Sequence, residues 1–407
     1  MRKFEIPQYF KSDLISEIKR FRTERDKYKK DFSPTVVDFG KVKFYLARHF
    51  GFCFGVQNAI EIAYKALYEN PGKRIFLLSE MIHNPDVNND LREQGIDFIQ
   101  DTLGNQLIDW NEITSDDIVI IPAFGTTRET MQLLEKKGLL YKTYNTTCPF
   151  VERVWNKSAY IGQKGYTIII HGKHLHEETR ATFSQVRRHA PALIIRNIKE
   201  ARFVADFIEG KVSAESLLDY FKGKYTEGFS PENDLQKVGV VNQTTMLAEE
   251  TAEISELLKE TLARKYGEEN ISQHFADTHD TLCYATNDNQ NATKKLLETD
   301  ADIAVVVGGY NSSNTSHLYE LLAQKFKTFF IKNVDEIIDK EQIRHLDTKS
   351  KETIITRNYL PQKEPIRIAL TSGASCPDSE VESVIQRLAS FFSHESNTKT
   401  KYDIYAH

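Results

Sequence analysis

Three cysteines stand in similar loops along the chain, each just ahead of a segment with helical periodicity. Cys53 lies in GFCFGV, Cys148 in TTCPFV and Cys283 in TLCYAT. The unpaired N–H groups and the dipole at the start of a helix favour a thiolate over a thiol. Three thiolates that converge on one point need a cation, and zinc and an iron–sulfur cluster both accept thiolate ligands. The residues alone leave both metals open, and no CxxC pair favours a structural zinc site.

A second polar loop follows each cysteine at a nearly constant distance. Three residues stand 30, 28 and 29 positions after the three cysteines, in chain order His83, His176 and Ser312. A third loop, built of small residues, follows one more strand-like run in each case: PAFGTTRE, VNQTTMLA and TSGASCPD. Chance placement would not hold the same loops in the same order at these offsets. The sequence therefore predicts three copies of one structural unit.

The elements that must position these loops alternate between strand and helix. Runs rich in Val, Ile and aromatic residues alternate with segments of helical periodicity, such as KVKFYLA followed by VQNAIEIAYKAL. This alternation predicts an α/β fold with three pseudo-repeated α/β units and mostly parallel sheets. The predicted segments are, in chain order, an N-terminal helical extension at 1–40, α/β units at 41–140, 141–270 (with an insertion near 205–236) and 271–390, and a polar C-terminal tail at 391–407. We expect the extension to be a docked or partly mobile helix, with a basic surface for an acidic electron carrier as the alternative.

The repeated loops all follow strands, and ligands of parallel α/β sheets bind beyond the carboxyl ends of the strands. Packing of the three units around a pseudo-threefold axis would bring the loops, and the three cysteines, to one centre. Small hydroxyls and backbone N–H groups at helix N-termini form anion sites, so a phosphate or diphosphate is the expected ligand. For any one of these residues, ordinary helix capping is the alternative. The residues that we expect to contribute are His83, Thr126, His176, Thr244, Ser312, Ser313, Asn314 and Ser375.

One loop, HLHEETRAT, combines histidines with acids. Its candidates for proton transfer are His174, His176, Glu177 and Glu178. A carboxylate beside an open iron can deliver protons to a leaving hydroxyl, which is general acid catalysis. We favour Glu178 for this role because of its position in the loop.

The composition excludes several classes of protein. The net charge of −5 argues against a general nucleic-acid binder, which would carry a basic stripe. No apolar run approaches the roughly 18 residues that span a membrane, and MRKFEIPQYF lacks the apolar core of a secretory signal. We therefore expect a cytoplasmic protein without nucleic-acid or membrane partners, in a compartment where disulfides are rare. The fourth cysteine, Cys376, lies in a different class of loop and is expected near the site without binding metal.

These motifs resemble those of the 4-hydroxy-3-methylbut-2-enyl diphosphate reductase family, also called LytB. The resemblance runs through nearly all of residues 42–390 and rests on GFCFGV, HNPDV, TTCP, HEETRAT, QTT, CYAT, NSSN and SGAS. It implies an iron–sulfur oxidoreductase of isoprenoid biosynthesis that catalyses the last step of the non-mevalonate pathway. That step removes an allylic hydroxyl reductively and gives isopentenyl diphosphate, dimethylallyl diphosphate and water.

The resemblance also implies the cofactor and the roles of individual residues. Family members carry one [4Fe–4S] cluster on three cysteines, here Cys53, Cys148 and Cys283, at the centre of the three units. One open iron binds the substrate hydroxyl, and electrons come from ferredoxin or flavodoxin. Glu178 matches the glutamate that supplies protons, and Thr244 matches the threonine that positions the hydroxyl. The residues that match the ligands of the substrate diphosphate are His83, His176, Ser312, Ser313, Asn314 and Ser375.

One position departs from the family pattern. The loop that usually reads AHG reads AFG here, with Phe124 in place of a histidine that contacts the diphosphate. A phenyl ring donates no hydrogen bond, so we expect altered substrate affinity unless a neighbour compensates. The candidates for compensation are Thr126, Thr127, His171 and His174.

Two other functions are alternatives. One is another three-cysteine cluster enzyme, such as a quinolinate synthase-like dehydratase, and the other is a non-catalytic metal-sensing protein. A sensor would need neither a proton donor nor diphosphate loops. The QTT, NSSN and HEE motifs favour the reductase over both alternatives.

Overall fold

The computed structural model describes residues 7–276, 278, 281, 283–392 and 402–407. Helices and mostly parallel strands alternate along these residues, which confirms the predicted α/β class. The chain forms two compact units. The first contains residues 1–57, 83–87 and 284–407, and the second contains residues 58–82 and 88–283.

The helices of the described residues are, in chain order, α1 (Asp13–Arg25), α2 (Phe54–Glu69), α3 (Pro85–Glu93), α4 (Arg128–Lys136), α5 (Pro149–Gly162), α6 (Glu177–Val186), α7 (Ile198–Ile208), α8 (Ala214–Tyr220), α9 (Pro231–Asp234), α10 (Ala248–Tyr266), α11 (Ile271–His274), α12 (Tyr284–Leu296), α13 (Ser313–Leu322) and α14 (Asp378–Ser390). A short 3-10 turn, Gln8–Phe10, precedes α1. Among the described residues, no helix is both long and apolar enough to cross a lipid bilayer.

The strands of the described residues are β1 (Thr35–Asp38), β2 (Val42–Leu46), β3 (Ile75–Leu77), β4 (Ile96–Phe98), β5 (Ile118–Ile120), β6 (Thr167–His171), β7 (Ala192–Ile195), β8 (Val238–Asn242), β9 (Phe275–Ala276), β10 (Ile303–Val307), β11 (Lys327–Ile331), β12 (Gln342–Leu346), β13 (Thr353–Arg357), β14 (Ile366–Ser372) and β15 (Asp403–Ala406).

The first unit is built on a six-stranded sheet with the order β11-β10-β14-β2-β1-β15. The strands from β11 to β2 pair in parallel, whereas β1 is antiparallel to both β2 and β15. All five residues of β10, IAVVV, are buried. A continuous apolar run of this kind is typical of a parallel strand that is covered on both faces. Because β10, β14 and β2 run parallel to one another, their carboxyl ends lie at one edge of the sheet.

The predicted N-terminal extension is docked on this sheet. Ser12 caps α1 by accepting a hydrogen bond from the backbone N–H of Ile15 at 2.9 Å. The apolar stripe of α1, formed by Leu14, Ile15 and Ile18, is buried in one core cluster with residues of β2, β10 and α14. The extension and the tail also contribute strands, because β1 and β15 complete one side of the sheet. The extension, which was predicted to be helical, thus also contains a strand, β1.

The second unit contains a three-stranded parallel sheet, β4-β3-β5, and a four-stranded parallel sheet, β7-β6-β8-β9. The predicted insertion near 205–236 forms α8 and α9. Three of its apolar residues, Leu217, Phe221 and Phe229, are buried in the core cluster of α7, α10 and β8. The insertion therefore packs on the four-stranded sheet as part of its core.

The sheets divide the chain differently from the predicted units. The run before each cysteine pairs with residues that the prediction assigned to another unit: β2 pairs with β14, residue 145 bridges to residue 121, and β9 pairs with β8. The three repeated units stay a prediction, because β2 is an inner strand of its sheet whereas only an isolated bridge precedes Cys148.

Candidate active site

The three cysteines lie directly before helices, as the sequence predicts. Cys148 occupies the N-cap position of α5, Cys53 precedes α2, and Cys283 precedes α12. Within the described residues none of the three forms a disulfide, and Cys53 and Cys148 are half-buried whereas Cys283 is buried. Partly exposed thiols at the positive ends of helices are suited to bind a metal as thiolates.

Backbone hydrogen bonds fix two of these cysteines to neighbouring loops. The N–H of Cys53 donates to the carbonyl of Ala374 at 3.2 Å, and the N–H of Cys148 donates to the carbonyl of Ala123 at 2.9 Å. Cys53 belongs to the first unit, whereas Cys148 and Cys283 belong to the second. Within the described residues, no group of three or more His, Cys, Asp or Glu side chains forms a metal-binding cluster. The donor set itself, thiolates alone, fits an iron–sulfur cluster.

Cys376 differs from the other three cysteines. Its side chain is completely buried in the loop after β14. Burial, with the nearby carboxylate of Glu380, raises the pKa of the Cys376 thiol well above its ordinary value. The thiol therefore stays protonated and is a poor metal ligand, in agreement with its exclusion from the predicted ligand set.

The first unit brings several predicted substrate ligands together at the edge where β10 and β14 end. The backbone carbonyl of His83 accepts a hydrogen bond from the Ser375 hydroxyl at 3.2 Å. The same carbonyl lies so close to Gly309 that an added Cβ there would be 2.4 Å from it, so only glycine fits. The Asn311 amide lies 3.3 Å from the Nδ1 atom of His83. Asn311 was not predicted, because nothing in NSSN distinguishes a ligand from a residue that orients one.

The start of α13 holds the remaining predicted ligands of this unit. Ser312 caps the helix, accepting hydrogen bonds from the N–H and the hydroxyl of Thr315 at 3.3 and 2.9 Å. Ser313 and Asn314 are buried, and both side-chain polar atoms of Asn314 are buried without a hydrogen-bond partner. A buried amide normally has partners, since an unmade hydrogen bond costs about 1–3 kcal/mol. The Asn314 amide can therefore still accept and donate hydrogen bonds.

The second unit contains the predicted proton donor. Glu178, at the start of α6, is almost completely buried at 1% exposure. The Thr244 hydroxyl donates to its Oε2 atom at 2.9 Å, and the Thr244 N–H donates to Oε1. Burial raises the pKa of Glu178 to about 7, although these hydrogen bonds from Thr244 oppose the increase. Both protonation states are accessible near neutral pH, as a general acid requires.

Thr244 and Glu178 meet because their loops follow neighbouring parallel strands. Thr244 follows β8, and the loop that leads to Glu178 follows β6. His176 caps α6 by accepting a hydrogen bond from the Glu178 N–H at its Nδ1 atom, at 3.2 Å. The cap fixes the imidazole relative to the carboxyl.

Phe124 lies beside a predicted substrate ligand. Its ring is 5.5 Å from the imidazole of His176 in an edge-on arrangement. Of the four residues proposed to compensate for the missing histidine, two have other hydrogen-bond partners and one is exposed. His171 is fully buried against Thr251, His174 is exposed, and Thr127 caps α4. Buried Thr126 is the remaining candidate.

Glu177 is a second buried carboxyl beside the predicted proton donor. The Ser79 hydroxyl donates to its Oε1 atom. Burial raises the pKa of Glu177 to about 8, and Glu80 adds to the increase. The sequence named Glu177 only as one of several candidates, because the HEE pattern does not show which acid faces which neighbour.

Comparison with known proteins identifies the family. The family described as LytB protein matches residues 44–389. The 4-hydroxy-3-methylbut-2-enyl diphosphate reductase of Gloeobacter violaceus is 41% identical over 352 residues, which cover 86% of this chain and 83% of the relative. The protein of the same name from Prochlorococcus marinus subsp. pastoris is 39% identical over 385 residues, covering 94% and 91% of the two chains.

A solved structure shares the fold. The E-1-hydroxy-2-methyl-but-2-enyl-4-diphosphate reductase from Plasmodium falciparum aligns with a TM-score of 0.60 over 85% of this chain and 87% of that chain, at 23% identity. The resemblance that the motifs predicted is thereby confirmed for both sequence and fold. This chain belongs to the LytB protein family.

Proposed function

We propose that this protein is a 4-hydroxy-3-methylbut-2-enyl diphosphate reductase, an oxidoreductase of the last step of the non-mevalonate isoprenoid pathway. Membership of the LytB family and relatives of that name at about 40% identity support the assignment. The observation that carries it in this chain is Glu178, a buried carboxyl with a pKa of about 7 held by Thr244. The comparisons give no support to the dehydratase or to the metal sensor.

The reaction replaces a hydroxyl by hydrogen, so its balance is R–OH + 2 e⁻ + 2 H⁺ → R–H + H₂O, with R–H drawn as either isomeric product. The leaving hydroxyl must be protonated to depart as water. Glu178 provides that proton, and its ionised form is then stabilised by the two donors of Thr244. Thr244 also positions the hydroxyl of the substrate. The electrons come from a one-electron carrier of the ferredoxin or flavodoxin class.

Cys53, Cys148 and Cys283 are the proposed ligands of one [4Fe–4S] cluster with one open iron. When bound, such a cluster supplies electrons one at a time and a Lewis-acidic iron for the hydroxyl. Their positions just before helices support this set, and the protonated, fully buried Cys376 lies outside it. Because thiolate ligands need reducing conditions, we place the enzyme in the cytoplasm.

The substrate diphosphate is bound mainly by neutral donors. Asn314, in the first turn of α13, has a buried amide with no partner among the described residues. A helix N-terminus with buried hydroxyls favours a phosphate group through its dipole and its N–H groups. The complete proposed set is His83, His176, Thr244, Ser312, Ser313, Asn314 and Ser375.

Turnover of the named substrate tests the function. Under anaerobic conditions with reduced methyl viologen, the cluster-loaded enzyme should convert 4-hydroxy-3-methylbut-2-enyl diphosphate to the two five-carbon diphosphates, as detected by mass spectrometry. Glu178→Gln should bind substrate but turn over about 100-fold more slowly, since it has no proton to give. The exposed Glu215→Gln serves as the control. Full turnover in Glu178→Gln would exclude this carboxyl as the donor, and no product from the parent enzyme would refute the function.

Iron and sulfide analysis tests the cluster ligands. Serine at position 53, 148 or 283 should abolish the cluster, because an alkoxide replaces a thiolate ligand poorly. Cys376→Ala should retain the parent content of iron and sulfide, measured after anaerobic purification together with the charge-transfer absorbance. A colourless protein that contains zinc and no sulfide would overturn the assignment of the cofactor.

The pH dependence of stability tests the environment of Glu178. In the unfolded chain this carboxyl ionises near its ordinary value of 4.5, whereas in the folded chain it keeps its proton up to about 7. The folded state thus binds more protons between these values, and stability falls as pH rises through this window. Ionisation of Glu178 lowers the free energy of unfolding by on the order of 3 kcal/mol, and Glu178→Gln should remove this decrease. Urea unfolding of the cluster-free protein at pH 5 and pH 7.5 measures it.

The comparison of the two proteins isolates Glu178, because Glu177 contributes equally to both. Glu215→Gln again controls for the loss of one charge. Equal pH slopes for Glu178→Gln and the parent protein would show that the carboxyl is not protonated in the folded state.

Restoring the missing histidine tests the placement of Phe124. Phe124→His should fold normally and bind inorganic diphosphate about tenfold or more tightly, since a hydrogen bond to a charged group contributes about 1.5–3 kcal/mol. Phe124→Leu, which adds no donor, is the matched control. Calorimetric titration with diphosphate measures the difference. Unchanged affinity in Phe124→His would place this loop away from the diphosphate.

A further inference from the structure

The N-terminal extension contacts the residues that lead into Cys53. The match to the family begins at residue 44, so α1 and the turn before it lie outside the matched segment. Both elements belong to the first unit, as does Cys53. The buried stripe of α1 anchors the extension to the core, so contacts at its ends are made from a fixed support.

One contact is aromatic. Phe10, at the end of the 3-10 turn before α1, is buried at 6% exposure. Its ring lies 5.9 Å from the ring of Phe52 in an edge-on arrangement. Pairs of this geometry contribute about 0.5–1.5 kcal/mol beyond the area that they bury. Phe52 is the residue immediately before Cys53.

A second contact is made by Lys19 on α1. Its ammonium donates to both carboxylate oxygens of Asp378 at 2.8 Å, and it also lies 5.3 Å from the centre of the Phe50 ring. Lys19 is 39% and Asp378 21% exposed at the side chain, so water weakens the ion pair. Its effect is therefore mainly geometric, because it fixes the start of α14 relative to α1.

Gly51 fits tightly against this ion pair. It has a φ of +80°, and an added Cβ would lie 2.4 Å from Asp378 Oδ1 and 3.4 Å from Lys19 Nζ. Its backbone N–H donates to the Ser372 hydroxyl at 3.1 Å. The N–H of Cys53 donates to the carbonyl of Ala374 in the same loop. The extension and the loop after β14 therefore hold the segment before Cys53 from two sides.

We propose that Phe10 and Lys19 are positioning residues that brace the backbone of Cys53. The three consecutive residues before this cysteine, Phe50, Gly51 and Phe52, each contact the extension or its ion pair. The brace limits the motion of the loop and preorganises the thiol for its ligand. This inference rests on the proposed function, in which Cys53 binds the cluster.

Amide hydrogen exchange of the full-length, cluster-free chain measures the brace directly. Phe10→Ala and Lys19→Met should each increase exchange of the Gly51 and Cys53 amides about threefold to tenfold, the range expected when one such contact is lost from a local opening equilibrium. The Cys148 amide makes the same type of hydrogen bond and serves as the internal reference. Its exchange should stay at the parent rate, which separates loosening of one loop from general destabilisation.

Matched variants on the same helix are the controls. Arg20→Met removes an exposed cation next to Lys19, and Phe21→Ala removes a half-buried ring that contacts Arg25. Both should leave exchange at Gly51 and Cys53 unchanged, and Lys19→Arg should restore it by keeping the ion pair. Unchanged exchange in both Phe10→Ala and Lys19→Met would overturn the brace, as would equal increases at Cys53 and Cys148.

Release of iron to a chelator connects the brace to the cluster. After reconstitution, Phe10→Ala and Lys19→Met should lose iron about threefold faster than the parent protein and than the two control variants. Cys53→Ser separates the two hypotheses. If Cys53→Ser binds the parent amount of iron and sulfide, the ligand assignment fails whatever the exchange data show. If Cys53→Ser loses the cluster while the brace variants release iron at the parent rate, the brace alone fails.

Discussion

Parallel strand pairing is the constraint on which the chemistry of each unit depends. In the first unit, β10, β14 and β2 are consecutive neighbours in the sheet and point the same way. Their following loops, which carry Ser312, Ser375 and Cys53, must therefore emerge at one edge. In the second unit the same rule places the loops of β6 and β8 together, and with them Glu178 and Thr244. Residues far apart in sequence become neighbours without any special local structure.

Burial gives these residues their reactivity at a cost in stability. The pKa of Glu178 rises to about 7 because the carboxyl has lost its water, and only Thr244 replaces part of that solvation. Asn314 has lost water and gained no partner among the described residues. Neither arrangement stabilises the empty protein. In the proposed function, contacts with the substrate offset these costs, as preorganisation for electrostatic catalysis requires.

Local sequence patterns predicted the features that short segments determine. The apolar run IAVVV is β10, and each cysteine directly precedes a helix. The pairing of β2 with β14 was not predictable in this way, because hydrophobic periodicity identifies a strand and not its neighbour. For this reason the predicted boundaries between units were placed before strands. In the structure, the runs that follow these boundaries pair with strands of a neighbouring predicted unit.

Long-range contacts of single side chains are also invisible to local patterns. The HEE motif names two acids, but the approach of Ser79 and of Thr244 distinguishes them. Lys19 and Asp378 are 359 positions apart, and nothing in a charged helix indicates which of its lysines makes an ion pair. The periodicity of α1 predicts its buried apolar stripe. Its proposed role depends on contacts of side chains outside that stripe, which periodicity does not predict.

The extension and Phe124 show how a family member can change around a fixed reaction. The proposed proton donor and the three proposed cluster ligands have fixed chemistry, so their residue types match the family motifs. The neighbouring residues only need to hold these groups in position. A contact between apolar side chains can therefore replace a polar contact where only the geometry matters. Phe10 against Phe52 and Phe124 against His176 are both edge-on aromatic contacts. The first lies beside the proposed cluster ligand Cys53 and the second involves the proposed substrate ligand His176, so in our proposal both contacts fix the positions of groups that carry the chemistry.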